Sequence, residues 1–166
     1  MVKLYNNTPI PFSINNTLRW KNWDLNIYLY GSLNGWKLNE VKYQSINGLA
    51  DLTYGVNALT TVKDRWSDSN PSGTLPGVAE ATSGVDPVNS DFYYEKAWYL
   101  RLDNVSIGYN MPDKWFGGVL HNARVYVSGR NLCVFTPYGG MDPETGNTYS
   151  AYPNQWSLAF GLNVKF

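Results

Sequence analysis

The sequence predicts an all-β fold, an antiparallel transmembrane β-barrel segment of about five strands carrying two long extracellular loops, and three observations carry that reading. The first is the run W-S-L-A-F-G-L-N-V-K-F at 156–166. Trp156, Leu158, Phe160, Leu162, Val164 and Phe166 fall on one strand face, and Ser157, Ala159, Gly161, Asn163 and Lys165 on the other. Half-buried strands of soluble proteins are usually about five or six residues long, whereas a tilted strand needs about 9–11 to cross a bilayer. The second is composition: aromatics make up 16% of the chain, with 13 Tyr and 7 Trp, and charged residues are also only 16%, against about a quarter in ordinary soluble domains. Tyr and Trp suit places where one end of a side chain is apolar and the other wet, such as bilayer interfaces, sugar-binding surfaces and protein interfaces. The third is an alternation of short and long connections between stretches of period two.

Residues 1–10 read as the end of a loop. A first strand over 11–20 places Phe12, Ile14, Leu18 and Trp20 on one face, with Asn16 the polar exception, and Ser13, Asn15, Thr17 and Arg19 on the other. Lys21–Asn22 suits a tight turn, because Asn tolerates positive φ. A second strand over 23–33 sets Trp23, Leu25, Ile27, Leu29 and Leu33 against Asp24, Asn26, Tyr28 and Tyr30, so the hairpin carries aromatics at its turn, as an interfacial girdle does. Residues 34–97 are rich in Asn, Ser, Gly, Pro and Asp and hold no sustained period; they read as one long loop with a short helical turn near Gly55–Arg65.

The third strand, 98–110, contains a fault. Leu100 and Leu102 are apolar at even positions, Val105, Ile107 and Tyr109 at odd ones, so the apolar side switches near Asp103–Asn104. Either a bulge or a strand that leaves the bilayer and packs its upper half on loops explains the switch, and the second is preferred. A modest turn over 110–122 leads to a fourth strand, 123–135, with Val125 and Val127 opposed to Arg124, Tyr126, Ser128 and Arg130. Residues 136–155 form a second Gly/Pro/Asn-rich loop before the last strand, 156–166.

Outer-membrane barrels have short periplasmic turns and long extracellular loops. Placing the C-terminus in the periplasm makes 34–97 and 136–155 extracellular. Five strands is odd and fewer than the eight of the smallest single-chain barrels, so the sequence reads as the terminal part of a larger barrel. Thirteen basic residues balance 13 acidic ones, which leaves no electrostatic footprint for nucleic acid. A single Cys133 excludes an internal disulfide and a Cys-based metal cluster, and a single His121 removes most hydrolase and zinc readings. No run approaches the roughly 18 apolar residues of a transmembrane helix. The start, MVKLYNNTPIPF, lacks the apolar core of a signal peptide, so either the protein is not exported or its exported form begins upstream.

Several stretches together resemble the C-terminal end of the SusC/RagA-type TonB-dependent outer-membrane transporters: W-D-L-N-I-Y-L-Y-G-S, D-R-W-S-D-S-N-P, Y-L-R-L-D-N-V-S-I-G-Y-N-M-P, V-Y-V-S-G-R-N-L, T-P-Y-G-G-M-D-P-E with A-Y-P, and F-G-L-N-V-K-F. Each is weak alone; their order and spacing are specific. The resemblance implies a 22-stranded barrel with an N-terminal plug. It further implies import of glycans or peptides driven by TonB, and a SusD-like surface lipoprotein as a hinged lid. The chain lacks the plug, the TonB-contacting segment and most of the barrel, so its partners are expected to be the rest of the transporter, the lipoprotein, TonB through the missing part, and outer-membrane lipid. No cofactor and no enzymatic activity are implied.

Within that frame the last strand, Trp156 to Phe166, is similar to the signal read by the outer-membrane assembly machinery. Arg101, Arg124 and Arg130 lie off the apolar stripe and are candidates to face the lumen, or to form a ladder with Asp24 or Asp103. Trp66, Tyr93, Tyr94 and Trp98 are candidate stacking platforms for ligand or contacts for the lid, with interface girdling or packing within the loop as the equal alternative. Asp142, Glu144 and Asn147 are weak calcium candidates, because the full twelve-residue loop pattern is absent and an ordinary turn explains them. The competing readings are a soluble carbohydrate-binding β-sandwich and a glycoside-processing enzyme, for which Asp24 and Asp103 are the only carboxylates on strands.

Overall fold

The computed structural model describes residues 8–47, 60–77, 91–117, 121–145 and 151–165. The chain divides into two compact units. The strand unit comprises residues 8–35, 98–136 and 154–166; the loop unit comprises 1–7, 36–97 and 137–153.

The strand unit is a five-stranded antiparallel meander. Strands β1 (Pro11–Trp20), β2 (Trp23–Ser32), β5 (Tyr99–Asn110), β6 (His121–Phe135) and β7 (Ser157–Lys165) lie side by side in the order β1-β2-β5-β6-β7. All five strands expected from the alternation are present, with ends moved by one or two residues. Lys21 takes φ 53 in the β1–β2 turn, and Asn22 locks that turn to the end of β5: its Nδ2 donates to the Asn110 carbonyl at 2.7 Å while the Asn110 amide donates to its carbonyl at 2.8 Å. A 3-10 turn, Asp113–Phe116, lies between β5 and β6.

Register settles the fault in β5. Leu29 pairs with Leu102 and Tyr28 with Asn104, so Asp103 has no partner across from β2. Across to β6, Leu102 pairs with Cys133 and Asn104 with Arg130, so Asn131 and Leu132 together stand opposite Asp103. The bulge is therefore the correct explanation, and the preferred expectation of a strand switching its packing at Asp103 is not. One inserted residue turns a parity change back into one face. Leu100, Leu102, Val105, Ile107 and Tyr109 all lie on the side of Leu25, Ile27 and Leu29. The β6 irregularity leaves parity unchanged, since Val127 and Cys133 both lie on the apolar side. Asn131 takes φ 52, and Leu132 lies over Gly129 on the apolar side, where a Cβ at Gly129 would meet its methyl groups.

The loop unit departs from the expectation of an irregular excursion. It contains strand β3 (Trp36–Leu38) paired antiparallel with β4 (Tyr94–Lys96), helix α1 (Glu40–Asn47), and 3-10 turns at Thr60–Asp64 and Asp91–Tyr93. The last residues of the expected helical turn near Gly55–Arg65 coincide with Thr60–Asp64; Gly55–Ala58 and Leu59 lie outside the described residues. Asn39 caps α1, its Oδ1 accepting the Lys42 amide at 2.9 Å. Three-residue strands are too short to show a period, which is why the pattern did not reveal them.

Gly31 tests this packing. A Cβ there would collide with the Tyr99 carbonyl and press on the Phe12 ring. Gly31→Ala is expected to cost about 1–3 kcal/mol through overpacking against backbone, read as a lower unfolding midpoint; an unchanged midpoint would show that β2 and β5 can spread.

Candidate functional site

The five-stranded sheet has one polar and one apolar face, and the polar face holds the chemistry. On it Arg124 of β6 reaches across Gly108 of β5 to Asp24 of β2. Its Nε donates to Oδ1 at 3.0 Å and its Nη2 to Oδ2 at 2.6 Å. A side chain at 108 would occupy the space of the guanidinium, so glycine is what lets the clasp cross the middle strand. Asn110 Nδ2 adds a weaker bond to Asp24 Oδ1 at 3.3 Å. Bidentate pairing is the strongest geometry available to Arg and carboxylate. Beside it Asn26 Nδ2 donates to Asn15 Oδ1 and Thr17 Oγ1, both at 2.9 Å, tying β1 to β2.

Arg101 is 2% exposed, donates to Asn131 Oδ1 and lies 6.0 Å from the Tyr99 ring centroid. The positive φ of Asn131 thus has a visible role: it delivers an acceptor to the polar face while Leu132 goes to the apolar one. Arg130 is exposed and pairs in the ladder with Asn104 and Ser157. Sequence reasoning missed a row of tyrosines nearby. Tyr28 and Tyr30 stack at 6.1 Å and 29°, and Tyr99 meets Tyr30 edge-on at 6.1 Å. The spacing of Tyr28 and Tyr30 on one strand face was the available signal.

The apolar face is bare. Ile14 is 52% exposed, Leu158 55%, Leu162 62% and Phe160 79%. At the end of the short connections Trp23 and Tyr109 pack at 4.8 Å, with Trp115 6.2 Å from Tyr109. Trp20 stands beside them in the ladder, opposite Trp23. Phe12 and Phe135 mark the opposite end of the face. Of the expected assembly residues, Leu158, Phe160, Leu162 and Val164 lie in β7, Trp156 precedes it, and Phe166 lies outside the described residues.

The four aromatic platform candidates separate. Trp98 belongs to the strand unit and is 41% exposed; Trp66, Tyr93 and Tyr94 belong to the loop unit. Trp66 is exposed, and Tyr94 is half-buried on β4. Tyr93 is 5% exposed and packs edge-on against Tyr43 at 5.5 Å and Phe92 at 5.0 Å. It is core, and its faces are closed to ligand.

The loop unit is organised by Glu95. Its Oε2 accepts from Asn39 Nδ2 at 3.0 Å and from the Gly139 amide at 2.9 Å, which fixes the T-P-Y-G-G segment on β4. Tyr138 donates its hydroxyl to the Leu38 carbonyl at 3.0 Å, and Lys37 Nζ donates to the Thr145 carbonyl at 2.9 Å. Burial lowers the pKa of Lys37 while Asp142 and Glu144 oppose the shift. Burial, then Glu95 and Glu40, raise that of Tyr138 above its ordinary 10.0. Asp142 is buried, and its Oδ1 accepts the Glu144 amide at 2.8 Å, an Asx turn that accounts for its placement. Glu144 is exposed, and Asn147 lies outside the described residues. Among the described residues no three His, Cys, Asp or Glu side chains gather as a metal site.

These features define a segment of antiparallel β-barrel wall with a folded loop unit. Comparison with known proteins narrows the class. No family model matches the chain. It is 34% identical over 92% of its length to TonB-dependent receptor P3 of Formosa agariphila, and 31% identical over 96% to receptor P26 of the same bacterium. It is 28% identical over 92% to TonB-dependent receptor SusC of Bacteroides thetaiotaomicron. It spans only 16%, 17% and 15% of those relatives. Among solved structures, the RagAB peptide importer in its closed-closed state superposes with a TM-score of 0.75 at 29% identity, covering 95% of this chain and 17% of that one. The open-open state gives 0.75 at 28%. The chain belongs to the SusC/RagA-type TonB-dependent receptors and corresponds to the C-terminal portion of such a receptor.

Two outcomes follow. Asp24→Asn leaves Arg124, whose side chain is 26% exposed, with a neutral partner, so it is expected to lower stability by about 1.5–3 kcal/mol. A double-mutant cycle with Arg124→Gln should return a coupling term of the same sign, and a cycle that closes to zero would dissolve the clasp. Because the folded pKa of Tyr138 lies above its unfolded value, its contribution is full below pH 10 and is lost as pH rises through the folded pKa. Tyr138→Phe should flatten that alkaline arm in unfolding of the loop unit followed between pH 9 and 12.

Proposed function

We propose that this chain contributes barrel wall and extracellular loops to an outer-membrane TonB-dependent importer of glycans or peptides. One observation carries the reading most directly: β1, β2, β5, β6 and β7 share a single apolar face, exposed and bordered by aromatics, backed by a polar face on which Arg124 clasps Asp24. Lipid requires the first and a protein-lined interior accepts the second. A soluble β-sandwich would bury Leu158, Phe160 and Leu162 against a second sheet, which their exposure contradicts. The carboxylates proposed for a glycoside-processing enzyme have other roles, Asp24 in the clasp and Asp103 at the bulge.

In this reading the five strands complete a 22-stranded barrel supplied by the rest of the transporter. The C-terminus faces the periplasm. Residues 34–97 and 136–155 reach the outer surface, where the exposed Trp66 and Trp98 and the half-buried Tyr94 contact substrate or a SusD-like lipoprotein lid. Arg124 and Arg130 line the lumen, whereas Arg101, expected there too, is buried against Asn131 and has no surface to offer it. TonB acts through a part of the protein beyond these residues, and the last strand directs barrel assembly. RagAB is a peptide importer by name, and glycans are the other substrate class that the family resemblance implies.

Sidedness tests this placement in the full-length transporter carrying Cys133→Ala. A membrane-impermeant maleimide added to intact cells is expected to label Ser69→Cys in the loop unit and to spare Asn22→Cys in the β1–β2 turn until the outer membrane is opened. Labelling in the opposite sense would invert the topology, and equal labelling of both would remove the barrier between them.

A further inference from the structure

The balanced net charge of the chain conceals a division. The strand unit carries seven basic residues and three acidic ones, the rest of the chain six and ten. On the polar face the excess collects at the end of the short connections, where Arg19 of β1, Arg124 of β6 and Lys165 of β7 share the side of one carboxylate, Asp24. A pocket opens there, lined by Thr17, Arg19, Lys21, Trp23, Asp24, Asn110 and Arg124.

Within it the acceptors are already committed. Both Asp24 oxygens are held by Arg124, and Oδ1 also takes Asn110. Thr17 Oγ1 accepts from Asn26, which leaves its hydroxyl hydrogen to donate. Lys21 Nζ sits 5.0 Å from the Trp20 ring centroid and keeps its charge at the rim. Arg19 stands directly across from Asp24 in the ladder and feels its charge through space, yet makes no hydrogen bond or ion pair among the described residues, and that carboxylate is already clasped by Arg124. A guanidinium on the inner wall of a membrane protein calls for a counter-charge, and its planar fork matches an oxyanion in two-point contact.

We infer that this pocket is a carboxylate-binding site, with Arg19 making the charged contact, the Thr17 hydroxyl a second bond, and Lys21 adding positive charge at the rim. The inference rests on the barrel reading, because it takes the polar face as interior. The carboxylate comes either from another segment of the same protein or from a free ligand, and the chemistry of recognition is the same for both.

Phenylglyoxal modification of the full-length transporter in detergent, read by peptide mass spectrometry, tests it, with Arg130 on the same face as the internal reference. If the carboxylate belongs to the protein, Arg19 reacts several-fold more slowly than Arg130, and about 1 M sodium chloride, where the Debye length is about 3 Å, abolishes the difference. If it belongs to a free ligand, Arg19 and Arg130 react alike until succinate is added, which slows Arg19 alone. Shielding of Arg19 that salt leaves unchanged, or reactivity that neither salt nor succinate alters, overturns the site. Failure of the barrel reading is distinguishable, because it appears in the maleimide sidedness, which these rates do not report.

Discussion

The structure depends on keeping one face of the five-stranded sheet apolar from end to end. Side chains alternate with a period of two, so any strand whose apolar residues change parity must gain or lose a residue or else turn charge toward the wrong side. In β5 the change falls between Leu102 and Val105, and omitting Asp103 from the ladder absorbs it. In β6 the matching irregularity sends Leu132 over Gly129 and Asn131 toward Arg101. The two bulges lie side by side on neighbouring strands, and the buried Arg101 obtains its acceptor from the second.

A second constraint acts on the polar face, where large side chains must be stored without spreading the strands. Glycine provides the storage. Gly108 makes way for the Arg124 guanidinium on its route to Asp24, and Gly161 lies under the Tyr126 ring. Each pairing places a long polar side chain over a residue with none, on an adjacent strand, so it also pins register. The clasp between Asp24 and Arg124 therefore joins β2 to β6 over β5.

How much of this the sequence disclosed follows from the range of each interaction. The strands were legible because alternation is local and ten residues of it are hard to mimic. The Asp24–Arg124 pair was legible in outline, since both lie on the polar parity, but its partners are 100 residues apart and only the register brings them together. The choice between a bulge and a departing strand was not legible, because it depends on which residues β2 and β6 present opposite Asp103. The β3–β4 pair, the capped helix α1 and the burial of Tyr93 were also hidden. They rest on contacts such as Tyr43 with Tyr93 and Gly139 with Glu95, which join segments that look like ordinary loop. Composition alone does not distinguish an aromatic displayed by a loop from one that holds it together.

The continuity of the apolar face through the bulge is the claim on which the barrel assignment stands. It is tested most directly by spin labels placed singly at Leu102, Val105 and Ser106 of the full-length protein in bilayers, comparing collision with oxygen, which concentrates in lipid, and with a water-soluble nickel chelate. The account predicts that the labels at 102 and 105 both favour oxygen despite their opposite parity, and that the label at 106 does not. A label at 102 that behaves like the one at 106 would mean that the face switches at Asp103, and would contradict the account.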